Sequence, residues 1–128
     1  MSQFGNLPVE AVADAVEKHV AKMDEAELAA LLLGALATMP RDAVGALVSA
    51  VFDAFRERGE SSEDAAEGAN ASLASLEAGD PHAVDALIGY ARDNTGLLKE
   101  AMTIYAQDHT ALMHALPKPF VDGIAQRL

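Results

Sequence analysis

The sequence predicts an all-α fold, a compact bundle of about five to seven helices in a single domain over residues 1–128, and three observations carry that prediction. Apolar residues recur at intervals of three and four from one end of the chain to the other. Three alanine-valine phrases each open on a proline: Pro8-Val9-Glu10-Ala11-Val12, Pro40-Arg41-Asp42-Ala43-Val44 and Pro81-His82-Ala83-Val84. Proline is at home on the first helical turn, where its missing N–H would have no partner in any case. Alanine supplies 27 of 128 residues and aromatic side chains only six, so the core must be aliphatic groups meshing with small-residue surfaces.

Taken in order, Val9, Val12, Val16, Val20 and Met23 lay one apolar stripe along a first helix, with Glu10, Asp14, Glu17 and Lys18 off it. Asp24, followed three residues later by Glu27, predicts a capping-box-like start to a second helix over residues 24–39. That helix is apolar nearly all round. Leu28, Leu31, Leu32, Leu33, Leu36 and Met39 alternate with Ala29, Ala30, Gly34, Ala35 and Ala37, so it is expected to be the central, most buried one. A third helix over residues 40–58 puts Val44, Leu47, Val48, Val51, Phe52 and Phe55 on one face and Gly59 just past its end, and is expected to be the second helix's main partner.

Residues 60–79 begin with good helix-start residues, Ser61 to Asp64, but offer a body of mostly small side chains and predict one shallowly packed helix. Asp80 is expected to cap a fifth helix with Val84, Leu87, Ile88 and Ala91 inward, ending near Asp93 and Asn94. Thr95 is expected to cap a long sixth helix to Leu116, stopped by Pro117 and Pro119 before a short helix over residues 120–127. Gly34, Gly45, Gly68, Gly89 and Gly123 fall inside these helices, where each is unfavourable by about 1 kcal/mol relative to alanine; close helix approach is the expected compensation.

The proline-led starts at 8, 40, 81 and 117 are 32, 41 and 36 residues apart, the length of a helical hairpin repeat. The phrase Gly79-Asp80-Pro81-His82-Ala83-Val84-Asp85-Ala86-Leu87-Ile88 resembles part of a HEAT-like repeat, a resemblance covering about a dozen residues. The second helices of the implied hairpins do not match one another, and the arginine and aspartate ladder of HEAT arrays is missing. An irregular bundle, rather than a stacked array, is therefore expected.

Without cysteine the chain has no disulfide, thiolate nucleophile or zinc–thiolate site, and the cytoplasm is the expected compartment. Residues 1–6 lack the basic and apolar regions of a signal peptide. The longest uncharged run, residues 28–40, is too short for the ~20 residues of a membrane helix. Net charge is −11, and residues 61–91 carry six acidic groups and no Lys or Arg. Phosphate backbones attract basic groups, so no nucleic-acid binding is expected.

Candidate chemistry is sparse. Leu98, Met102, Tyr105, His109, Leu112 and Leu116 step along one seam, which would point His109 inward with Tyr105 as hydrogen-bonding companion. Such a pair suits a general base or a switch near neutral pH, yet no serine, cysteine or ligand motif accompanies it, and a core histidine is the expectation. Glu-x-x-His does not occur, and His109 and His114 lie about 140° apart around a helix, so no metal site and no cofactor are expected. The sequence favours a non-enzymatic interaction or regulatory domain, self-associating as a homodimer or binding a protein partner. The candidate surfaces are Leu31, Leu33 and Leu36 on the second helix or Phe52 and Phe55 on the third. The alternative is a bundle that holds an apolar small molecule among Phe52, Phe55, Met102, Tyr105 and His109.

Overall fold

In the computed structural model, residues 8–127 are described; they form α1 (Val9–Val20), α2 (Glu25–Leu36), α3 (Arg41–Glu57), α4 (Ser62–Gly68), α5 (Leu73–Glu77), α6 (Pro81–Arg92), α7 (Leu97–Asp108), a 3₁₀ segment (Thr110–Ala115) and α8 (Lys118–Ala125). The N-terminal segment read for targeting signals, and Leu128, lie outside the described residues. The fold is all-helical, with eight α-helices among the described residues where five to seven were expected. Prolines do mark the starts. Pro8, Pro40 and Pro117 are extended N-cap residues of α1, α3 and α8, and Pro81 is the first residue of α6.

Two breaks account for the difference, one giving an extra α-helix and the other a 3₁₀ segment. Residues 60–79 split because Asn70 adopts a left-handed φ of 59°, a conformation asparagine tolerates better than most side chains, and Ser72 then caps α5 by accepting from the Ser75 N–H at 3.0 Å. Ahead of that break, Ser61 and Asp64 form a reciprocal capping box on α4. The expected sixth helix ends early. His109 leaves the α region at φ −132° and ψ 42°, and the chain tightens into the 3₁₀ segment.

Asp24 and Asp80 occupy their N-cap positions, but neither side chain makes a capping hydrogen bond. Thr95 does not cap α7; Gly96 does, in the left-handed region at φ 79°, and its N–H donates to Glu25 Oε1 at 2.7 Å. A carboxylate from the first turn of α2 thus satisfies a group at the positive end of α7. Gly59 ends α3 as expected: its φ of 86° lets the Glu60 N–H reach back to the Phe55 carbonyl at 3.0 Å.

The central helix is α7, not α2. It lies between α3 and α1, with which it makes its most extensive contacts, and also touches α2 and α6. Leu97, Leu98, Ala101, Met102, Tyr105 and Ala106 on it are fully buried. The expected pairing of α2 with α3 is replaced by α2 on α6 and α7. α2 buries only Leu28, Ala29, Leu32 and Ala35, whereas α7 buries six residues between two helices, and each buried leucine or methionine contributes roughly 1.5–3 kcal/mol. Since the largest contacts join helices remote in sequence, the hairpins do not stack as an array.

Two of the five helical glycines meet the expectation of close approach. A Cβ at Gly68 would fall 2.6 Å from Tyr90 Oη, and one at Gly123 would fall 2.9 Å from His19 Nε2. Tyr90 itself stacks on Phe55 with centroids 5.3 Å apart and donates to Glu60 Oε2 at 3.1 Å. Gly34, Gly45 and Gly89 correct the expectation, because a Cβ there would meet nothing within 4 Å. Gly89→Ala should therefore raise stability by up to about 1 kcal/mol, whereas Gly68→Ala should lower it by at least about 1 kcal/mol; urea unfolding of the two variants checks the opposite signs.

Candidate functional site: the outer face of the second helix

Helical geometry divides α2 into two faces. Leu28, Ala29, Leu32 and Ala35 are buried against the bundle. At 100° per residue, Ala26, Ala30, Gly34 and Ala37 fall on the opposite side, and all four are exposed. Leu31, Leu33 and Leu36 flank this strip, half-buried and packed against the edge of the core. The outer faces of the neighbouring helices look different: α1 exposes Glu10, Asp14, Glu17 and Lys18, and α6 exposes His82, Asp85 and Arg92. Past Glu27, α2 offers solvent no charge at all.

The position of this face is held at both ends. The Glu25 carboxylate anchors the start of α2 to Gly96, and Met39, buried beyond its end, pins the turn into α3. Glu25 Oε2 is buried without a hydrogen-bond partner. The hydrogen bond to Gly96 is thus made by one carboxylate oxygen alone, beside the packing of α2 on α7.

Phe52, Phe55, Met102 and Tyr105 are all buried in the core; Phe55 stacks on Tyr90 of α6, and Phe52 lies beside Ser62 of α4 and Leu76 of α5. Phe52 is 7 % and Phe55 1 % exposed, so the third helix does not present them as an interface. Phe52 borders an open depression of about 340 Å³ whose other lining residues are Gly45, Val48, Ser49, Arg56, Ser62, Leu76 and Glu77, without Met102, Tyr105 or His109. The Tyr105 hydroxyl donates to the Leu112 carbonyl at 2.8 Å, which uses its polar handle inside the fold. His109 is half-buried rather than fully inward; its ring centroid lies 5.8 Å from that of Tyr105 and tilted by 50°. His19 is set on α8, against Phe120 and Gly123.

Among the described residues, no three His, Asp or Glu side chains gather as metal ligands, and no helix is long and apolar enough to cross a membrane. Compared with known family models, curated proteins and solved structures, the chain has no match. Of the face itself, the leucine flanks were named from sequence, whereas the strip Ala26, Ala30, Gly34 and Ala37 was not. The available signal was the step of four between small residues inside the uncharged run 28–40.

Burial, and after it the negative charge of Asp42, pushes Tyr105 ionisation well above the ordinary tyrosine range. In the unfolded chain the same phenol ionises near pH 10, so the stability Tyr105 contributes is complete below about pH 10 and falls as pH rises beyond it. Tyr105→Phe should cost about 1 kcal/mol near neutral pH, because it removes the hydroxyl's hydrogen bond to the Leu112 carbonyl, and should flatten the alkaline loss. Denaturant titrations across the alkaline range check both effects.

Proposed function

We propose that the protein is a non-enzymatic interaction domain that self-associates, two copies laying the outer faces of α2 against each other. The observation that carries this reading is the uncharged outward strip Ala26, Ala30, Gly34 and Ala37, flanked by Leu31 and Leu33. A surface helix whose outer face needed only solvation would carry charged or polar groups there, as α1 does. The open space at Gly34 supports the same reading. A mid-helix glycine is unfavourable by about 1 kcal/mol, no contact within the chain requires this one, and small residues let two helix axes approach to about 8 Å. A chain of this size without cysteine also suits a reducing compartment such as the cytoplasm.

Size and charge set the expected strength. A helix of 12 residues is about 18 Å long, so its outer face supplies only part of the ~800 Å² per partner that a stable complex buries. Each copy also carries a net charge of −11. Association is therefore expected to be weak, and to strengthen as salt screens the repulsion between two acidic copies. A basic partner would show the opposite dependence.

Sedimentation and native mass spectra over a concentration series should show a dimer that tightens between about 0.05 and 0.5 M salt. Ala30→Glu, at an exposed position, should abolish it with stability changed by less than about 0.5 kcal/mol, and Leu33→Asp should abolish it at some cost in stability. A monomer at every concentration refutes self-association, and one that retains a bound mass would favour the apolar-ligand alternative.

A further inference from the structure

The last helix is attached unlike the others. α8 packs on α1 and on the 3₁₀ segment, and its inward side chains are Phe120 and Ile124. Between them and α1 stands one titratable group, His19, on the last turn of α1. Its ring meets Phe120 edge to face at a centroid distance of 5.2 Å and lies flush on the backbone at Gly123, where any Cβ would overlap it. Arg127, just past the end of α8, donates from Nε to His19 Nδ1 at 3.4 Å. That contact requires a ring nitrogen with a free lone pair.

The charges around the ring are of one sign. Arg127 from the α8 side and Lys22 from the end of α1 act on it. The other charged groups of the two helices, Asp122 and Lys118 on α8 and Glu10, Asp14, Glu17 and Lys18 on α1, are exposed, as is His114 on the 3₁₀ segment. From α7, Lys99 and Glu100 line a separate depression with Glu17, Val20 and Ala21. The end of α1 would by itself favour a cation. Burial against α8 opposes one more strongly, with Arg127 and Lys22 adding to it, so protonation is displaced below the ordinary histidine range.

We propose that α8 is a proton-sensitive clasp: the neutral His19 ring seats it on α1, and protonation between Arg127 and Lys22 loosens it and uncovers the surfaces of α1 and the 3₁₀ segment beneath. The sign follows from linkage. A histidine whose protonation is harder in the docked state stabilises docking fully above the ordinary value of about 6.5, and that contribution is lost as pH falls through the docked value.

Hydrogen exchange of the full chain, corrected for the intrinsic pH dependence, measures this directly with α3 and α7 as internal references. Between about pH 7.5 and pH 5, protection over residues 118–125 should fall several-fold relative to those helices. His19→Phe keeps an aromatic edge on Phe120 but cannot titrate, and should remove the difference. Arg127→Gln, at an exposed position, should raise the His19 titration midpoint seen by NMR and move the loss of protection with it. Gly123→Ala should leave α8 unprotected already at neutral pH while α3 and α7 stay protected. Equal protection of α8 and the reference helices across the range, or an unchanged pH response in His19→Phe, would overturn the proposal.

Discussion

Burial of α7 between α1 and α3 is the constraint on which the other contacts depend. Its six fully buried residues, Leu97 to Ala106, supply the floor on which both neighbours rest. Its two ends are closed by groups from elsewhere in the chain. At the start, Glu25 of α2 accepts the Gly96 N–H; at the end, the Tyr105 hydroxyl takes the Leu112 carbonyl and folds the 3₁₀ segment back over the helix. The first closure satisfies a backbone N–H at the helix start, and the second gives the buried Tyr105 hydroxyl its acceptor. The same two contacts fix where α2 and α8 sit, because one leads into α2 and the other into the turn before α8.

Small residues serve two distinct purposes around this centre. At Gly68 and Gly123 the absence of a side chain admits an aromatic or imidazole ring, Tyr90 or His19, against helix backbone. With six aromatic residues in the chain, such ring-on-glycine seats give short helices a defined docking geometry that alanine packing alone does not. On α2 the small residues face outward and admit nothing from the same molecule. That contrast separates Gly68 and Gly123, which the packing of the chain explains, from Gly34, which, like Gly45 and Gly89, meets no contact within it.

Charge is arranged around the same division. The negative groups crowd residues 61–91 and the outer faces of α1 and α6, which keeps most of the surface hydrated and mutually repelling. The outer face of α2 is the gap in this coat. Under the proposed self-association, local removal of charge, rather than a large apolar patch, is what would let two strongly acidic copies meet.

Helix identity was legible in the sequence, because a period of three and four and a proline at each start are local properties: α1, α3 and α6 lie where Pro8, Pro40 and Pro81 placed them, and Gly59 ends α3 with the positive φ expected of it. The leucine flanks of the candidate face, Leu31, Leu33 and Leu36, were legible for the same reason. Three-dimensional packing decided the rest. Periodicity assigns faces but not neighbours, so it ranked the all-apolar α2 as central when the bulkier α7 fills that place. The seam through Tyr105 and His109 was read as one helix because its spacing is unbroken, whereas the Tyr105 hydroxyl finds the Leu112 carbonyl only when the helix gives way to a 3₁₀ turn. Likewise the seat of His19 on Gly123 joins residues about a hundred positions apart, and the exposure of Ala30 and Gly34 depends on which side of α2 the bundle occupies. Such pairings depend on volume and on distant hydrogen-bond partners, quantities that exist only once the helices have met.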